Sequence, residues 1–450
     1  MQKIKLCLQK SRFKKTIMST SSTPLGFLQG FKESHLTLER SWLKAAVAVI
    51  MLTANFLLSG CGGSPSPNPH IQHVAVIDAG SSGSRVVLYE RMFRGDALQV
   101  EQRFADSGGL ALSGFESTPG DAGPLGVKPL LDKLVANLQV SGVSPALVEV
   151  HFLATAGMRL VEGRNPAAAT AIYDSVRSTL ARSGLKLGRI GTLSGIEEGL
   201  FAWIDLNEIA GNFKTGREAT LGLLEVGGAS AQIAFATTAQ DNRAVSVSVK
   251  GKSHRVFSQS WLGLGQDQAR LSMIRLNQSG SGLTNNVCYP DNTGQAGGLQ
   301  AFDVGIEGLF IDSGRYDFAA CSELYDAQLR GMRVREVTTV PGFSASTLVG
   351  ASSVSFALTD WRATDDVGKL GSHLQANCTG PDAYGNQVLP FLGRTAPGNR
   401  FAQNACANGT FMQALVFGPQ GLGLLPWQFG VQIDKGQSVN WTRGAVLIDP

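Results

Sequence analysis

The 450-residue sequence is short of the side chains that cage metals. Its six histidines form no cluster and its six cysteines form no CxxC pair, which excludes a zinc site of the usual spacing. Long apolar runs are missing beyond residues 45–58, and that stretch is too short for a comfortable membrane span, so a polytopic transporter is excluded. A basic stripe interleaved with aromatics is also missing. The formal charge is +4, but residues 1–60 carry nine Lys/Arg against Glu33 and Glu39, a balance of +7, so residues 61–450 carry 4 − 7 = −3. A slightly acidic body excludes nucleic acid as a partner.

What is present is a glycine-rich chain with 43% hydrophobic residues, enough to bury a sizeable core in two or three domains. Near the N-terminus, Lys44 precedes the apolar stretch, which ends in Leu58-Ser59-Gly60-Cys61. That tetrad resembles a bacterial lipobox, in which Cys61 becomes the lipidated first residue of the mature protein. Residues 1–60 are therefore expected to be a leader and lipoprotein signal peptide, with Met18 an alternative start. Residues 61–71 are expected to be a flexible tether. The expected location is a bacterial cell envelope, lipid-anchored on the periplasmic side or surface of the outer membrane, as a monomer. In an exported body, Cys288, Cys321, Cys378 and Cys406 suggest two disulfides. Of three possible pairings, Cys288 with Cys321 and Cys378 with Cys406 each close a local loop and are the expected ones.

Apolar patterning places strands at 74–77 and 85–91 as an antiparallel hairpin, then a helix over 124–140 and a strand over 148–153. Asn165-Pro166 starts a helix running to about 182, with asparagine at the cap and proline at the first position. A strand at 189–193, a helix at 196–209 and strands at 219–226 and 231–237 follow. Residues 277–314 read as long loops, 401–417 as one helix, and a last helix starts near Thr442. Strands alternating with helices give an α/β class.

Two loops in this pattern invite chemistry. Asp78-Ala79-Gly80-Ser81-Ser82-Gly83-Ser84-Arg85 and Glu225-Val226-Gly227-Gly228-Ala229-Ser230-Ala231-Gln232 each follow an apolar run. Each sets a carboxylate at a strand end before small residues whose backbone N–H groups can approach an anion. Ser81, Ser82, Gly83 and Ser84 would serve one phosphate group from one side, and Gly227, Gly228 and Ala229 from the other. Asp78 and Glu225 would hold hydrated Ca²⁺ or Mg²⁺, since hard cations prefer oxygen. A third segment, Ala154-Thr155-Ala156-Gly157-Met158-Arg159, again puts small residues, a hydroxyl and a cation after a strand. Glu198 lies near a helix start, where the dipole favours its ionised form at neutral pH.

The order of these segments resembles the apyrase family, the nucleoside triphosphate diphosphohydrolases. Residues 78–85, 154–160, 195–207 and 225–235 look like its four signatures, and 261–269 and 441–447 resemble further blocks. The resemblance spans about 72–449, with 291–400 matching poorly. It implies a two-lobed fold of the actin and sugar-kinase superfamily (RNase H-like) with the active site in the interlobe cleft. Lobe I would comprise 72–193 plus about 420–450, and lobe II 194–419. It further implies hydrolysis of nucleoside tri- and diphosphates to monophosphate with Ca²⁺ or Mg²⁺. By position, Glu198 would be the general base, Ser230 and Gln232 would hold the attacking water, and Thr155 and Gly157 would lie near the terminal phosphate.

Two departures stand inside the loops. The first signature commonly has histidine and threonine where this chain has Gly83 and Ser84. The fourth commonly has aspartate where Glu225 is one methylene longer. These leave room for a non-catalytic nucleotide-binding or adhesion module, while the exopolyphosphatase branch of the superfamily is a third reading. Phe343, Phe356, Trp361 and Tyr384 are the candidate base-stacking residues.

Overall fold

An apolar run buried on both faces must be a central strand, and β1 (His70–Ala79) is one: Ala75, Ile77 and Ala79 enter one core, Val74 and Val76 another. In the computed structural model the described residues are 70–448 except 96, 214–219, 241–242, 277–285, 292–313, 345, 396–398 and 432–437. The tetrad at Cys61, residues 61–69 of its tether and most of the 277–314 segment therefore lie outside the described residues, while His70 and Ile71, expected in the tether, begin β1. Beside β1 run β2 (Ser84–Arg94) and β3 (Ala97–Gly109), both antiparallel, and on the other side β4 (Val148–Ala154) and β5 (Lys186–Thr192), both parallel. The order is β3-β2-β1-β4-β5.

The second sheet repeats this plan. It comprises β6 (Gly222–Val226), β7 (Ser230–Ala236), β8 (Ala244–Val249), β9 (Lys252–Leu262), β10 (Leu348–Ser352) and β11 (Phe429–Val431), in the order β11-β10-β6-β7-β9-β8. With edge strand β8 set aside, β9-β7-β6-β10-β11 matches the first sheet in order and in sense of pairing. The chain is thus two lobes of one design, an actin/sugar-kinase-like fold.

Helices α1 (Lys128–Val140), α2 (Ala156–Arg164) and α3 (Pro166–Ala181) cover the outer face of the first sheet through Leu130, Leu134, Ile172 and Val176. Helix α4 (Gly195–Ile209) carries the fully buried Trp203 into a separate cluster fed by both sheets. The second lobe packs α5 (Gln266–Leu276), α6 (Phe318–Gly331), α7 (Ser353–Asp360), α8 (Leu370–Cys378) and α9 (Ala405–Phe417) around its own core. The C-terminal α10 (Trp441–Val446) joins α4 in the cluster between the sheets. Burying a large apolar side chain in such clusters contributes roughly 1.5–3 kcal/mol. Both expected disulfides are present, Cys288–Cys321 anchoring α6 and Cys378–Cys406 joining α8 to α9.

Several boundaries differ from expectation. A π-turn over Ala122–Val127 delays the first helix to Lys128. The helix expected over 401–417 is two, Arg400–Gln403 and α9, divided at Asn404, whose side chain accepts a hydrogen bond from Tyr289 Oη. The second sheet reaches Val431, because β11 pairs with the edge that β10 would otherwise expose. Trp441–Val446 packs in the cluster fed by both sheets, where Thr442 Oγ1 shares a hydrogen bond with Tyr89 Oη of β2 at 2.7 Å.

Candidate active site

The two sheets place their carboxylates at equivalent points. Asp78 and Glu225 are each the penultimate residue of a central strand, paired across the hairpin with Arg85 and Gln232. The loops that follow close alike, Gly80 N donating to Gly83 O at 2.9 Å and Gly227 N to Ser230 O at 3.0 Å. They also face each other. A methyl group added at Gly228 would stand 2.7 Å from Ser81 Oγ and 3.0 Å from Asp267 Oδ2, so the two loops approach closely here. Between them opens a cleft of about 730 Å³. Asp78, Ser81, Ser82, Gly83, Ser84 and Thr155 line it from the first lobe; Glu225, Gly227 and Gly228 line it from the second, with Glu198 exposed to it as well. Gly157 lies just behind, against Ser81 and Ser113, and Ala229 is buried beneath its loop.

Glu198 sits where strand and helix ends converge. Its neighbour Glu197 takes the capping role at the start of α4: Ser194 Oγ accepts from Glu197 N, and Glu197 reaches back to Ser194 N. Although partial burial works the other way, hydrogen bonds from Arg189 and Ser194 hold Glu197 down to about 2. Glu198, one residue on, turns into the cleft. Its Oε2 receives Arg159 Nη2 at 2.5 Å and Gln232 Nε2 at 3.0 Å, and Ser230 Oγ accepts from both donors, at 3.1 and 2.5 Å. Gly195 lets the Arg159 guanidinium pass, since a side chain there would collide with it and with Ser260. Ser258 Oγ fixes the helix start by donating to Ile196 O at 2.8 Å.

The expectation that Glu198 is ionised at neutral pH is corrected. Burial pushes it up to about 8; Arg159 opposes this, while Glu225 and Asp78 add to it by like-charge repulsion. Glu198 lies in the first turn, where the helix dipole favours its charged form, but desolvation is the larger effect.

Burial likewise raises Asp78 and Glu225, partly offset by Arg85 beside Asp78 and by Ser352 and Arg85 near Glu225. Asp78 Oδ2 pairs with Arg85 Nη2 at 2.9 Å. Asp78 Oδ1 and Glu225 Oε2 are buried acceptors with no hydrogen-bond partner. Two such oxygens in one cleft suit a hydrated hard cation. Among the described residues no group of three or more His, Cys, Asp or Glu converges as a direct metal cage, so an ion here would be held through water.

Of the aromatic candidates, Phe343, Trp361 and Tyr384 are buried in the second core, where they pack rather than stack on a ligand. Phe356 is 69% exposed and lines the cleft together with Phe401, 53% exposed. Phe401, Arg270, Asn408, Ser352 and Ser353 are wall residues that sequence reasoning missed. The repeat offers a signal for the serines, since Ser352 ends β10 and Ser353 follows it as Ala154 ends β4 and Thr155 follows it.

A two-lobed fold with facing glycine loops and a buried carboxylate between them defines a phosphate-handling class of protein. The chain belongs to the GDA1/CD39 (nucleoside phosphatase) family, which matches residues 66–334. It is 32% identical over 216 residues to ectonucleoside triphosphate diphosphohydrolase 2 of Homo sapiens, covering 44% of this chain and 43% of that one. To the protein of that name from Gallus gallus it is 29% identical over 271 residues, 55% and 54% of the two chains. The chain thus spans about half the length of the curated relatives it matches. Among solved structures, nucleoside triphosphate hydrolase from Neospora caninum superposes with a TM-score of 0.57 at 17% identity, covering 90% of this chain and 96% of that one, and supports the fold.

Proposed function

We propose that the chain hydrolyses the terminal phosphoanhydride of nucleoside tri- and diphosphates, ending at the monophosphate. The observation that carries this reading is Glu198, gripped on Oε2 by Arg159 and Gln232 at the floor of a cleft whose two walls are glycine-serine loops. In this reading Glu198 removes a proton from the attacking water, and Ser230 and Gln232 hold that water in line. Thr155 and the backbone N–H groups of Ser81–Ser84 and Gly227–Ala229 bind the phosphate oxygens. Asp78 and Glu225 would hold Ca²⁺ or Mg²⁺ through its water shell, and the bound ion would supply charge neutralisation to the phosphates. Arg159, by pairing with Glu198, keeps a cation beside the reacting group. Phe356 and Phe401 present aromatic faces at the cleft mouth for the nucleobase.

Phosphate release from ATP, ADP, AMP and long-chain polyphosphate, with Ca²⁺, with Mg²⁺ and with excess EDTA, tests the reading. Release from ATP and ADP but not AMP, lost in EDTA, is the expected result. Binding without release would make the chain a nucleotide-binding module, and preference for polyphosphate would move it to the exopolyphosphatase type.

The same proposal places the protein in a bacterial cell envelope as a lipid-anchored monomer. Its support is the Leu-Ser-Gly-Cys tetrad ending at Cys61 and the paired cysteines of the body. No helix of the described residues is long and apolar enough to cross a membrane. Cys61→Ala should move the protein from the membrane fraction to the soluble fraction and abolish incorporation of labelled palmitate. Unchanged membrane association would remove the anchor from the proposal.

A further inference from the structure

The two lobes hold their equivalent carboxylates by different means. In the first lobe the hairpin partner does it: Arg85, opposite Asp78 on β2, forms an ion pair with Asp78 Oδ2 at 2.9 Å. In the second lobe the hairpin partner of Glu225 is Gln232, and its amide is already committed to Glu198 Oε2, Ser230 Oγ and Ser260 Oγ. Glu225 needs another holder. It finds one on the opposite neighbouring strand, where Ser352 Oγ donates to Glu225 Oε1 at 2.9 Å. The corresponding position in the first lobe, after the same strand register, is Ala154, which has no side-chain donor.

Ser352 is held at φ 57°, ψ −127°, a conformation that glycine adopts and other residues rarely do. It ends β10, starts α7 and lines the cleft. A non-glycine residue keeps such a backbone when its surroundings over-determine it, and these places cluster at functional sites. From this backbone position the Ser352 hydroxyl binds one carboxylate oxygen, and the other, Glu225 Oε2, is buried and unpartnered.

We propose that Ser352 is a positioning residue for Glu225: its hydroxyl takes up the extra methylene of the glutamate by binding Oε1, so that Oε2 alone is presented to the hydrated divalent cation. Glu225 and Ser352 thus work as one unit, and an aspartate in place of Glu225 would fall short of the serine. This rests on the nucleotide-and-cation reading of the cleft.

The test is calorimetric binding of a non-hydrolysable ATP analogue, with Mn²⁺ and with EDTA, which reports the affinity gained from the ion without turnover. In the parent protein Mn²⁺ should tighten binding. Ser352→Ala should reduce that gain about 10- to 150-fold, the worth of one hydrogen bond to a carboxylate, while affinity in EDTA stays unchanged. Ser352→Gly, which relieves the backbone strain as well, should show the same reduction. In a Glu225→Asp background, Ser352→Ala should have no further effect. Equal losses from Ser352→Ala in the parent and in the Glu225→Asp background, a full gain in Ser352→Ala, or a loss confined to the alanine variant would overturn the role of Ser352 and leave the nucleotide reading standing. A parent protein that binds the analogue no tighter with Mn²⁺ would overturn both.

Discussion

Arg159 Nη2 lies 2.5 Å from Glu198 Oε2, and Gln232 Nε2 reaches the same oxygen at 3.0 Å. Both donors therefore converge on one oxygen, and among the described residues Glu198 Oε1 takes no hydrogen bond. An acid held on one side and free on the other is oriented to accept a proton from the cleft.

Glu198→Gln keeps the shape of the side chain and removes the basic oxygen. Turnover should fall about 10²–10⁴-fold, the usual worth of a general base, while KM stays within a few-fold of the parent. Steady-state phosphate release with ATP measures both. Near-parent turnover would remove Glu198 from the chemistry.

The pH dependence follows from the same burial. A base must be deprotonated to act, and Glu198 is pushed up to about 8. The rate kcat/KM should therefore climb with rising pH toward a midpoint near 8, and lower where a bound cation screens the neighbouring acids. Glu225 contributes to the upward shift by repulsion, so Glu225→Gln should move the limb to lower pH. A shift to higher pH, or none, would mean that the two carboxylates are not coupled.

Glu197 and Glu198 are adjacent in sequence and opposite in role. Glu197 closes the capping box with Ser194 and pairs with Arg189 Nη1 at 2.7 Å. Ser194→Ala should cost about 1 kcal/mol of stability with kcat altered only modestly. Glu197 has its folded pKa lowered to about 2, so its stabilising contribution is present above its ordinary value near 4.5 and fades as pH falls toward 2. Glu197→Gln should flatten the loss of stability across that acidic window, read by thermal melts from pH 2 to 6. An unaltered slope would mean that the cap does not carry the charge effect.

Much of the fold was legible because burial on both faces leaves continuous apolar runs, as in residues 74–79 and 222–226. Asn165-Pro166 likewise marked its helix start, and the Asn165 side chain accepts from Ala168 N as a cap should. Strand β3 escaped notice because most of its residues are exposed and polar, giving no core-facing alternation. The loops that line the cleft were readable from local glycine and serine spacing. Ser352, Arg270 and Phe401 were not, because each reaches the cleft through long-range pairing that only the second sheet and its helices establish. The charge state of Glu198 was misread for a related reason. A helix start is local and visible in sequence, whereas burial beside Asp78 and Glu225 exists only after both lobes assemble.

In the proposed reading the cleft mouth would distinguish a nucleotide from bare polyphosphate. Phe356 at 69% exposure and Phe401 at 53% present apolar ring faces at the cleft that neither core uses. Phe356 sits on α7, directly after the Ser352–Ser353 turn, and Phe401 lies in the short helix before α9, so both are carried by elements that also bear cleft-lining residues. Stacking on an aromatic face is worth roughly 1–3 kcal/mol per base, or about 5- to 150-fold in affinity. Phe356→Ala and Phe401→Ala should each raise KM for ATP within that range while leaving KM for tripolyphosphate unchanged. Because both side chains are exposed, melting temperatures should hold within about 1 °C of the parent, in line with the small cost of surface substitutions. Equal effects on ATP and tripolyphosphate would show that the two rings shape the phosphate site instead of receiving a base.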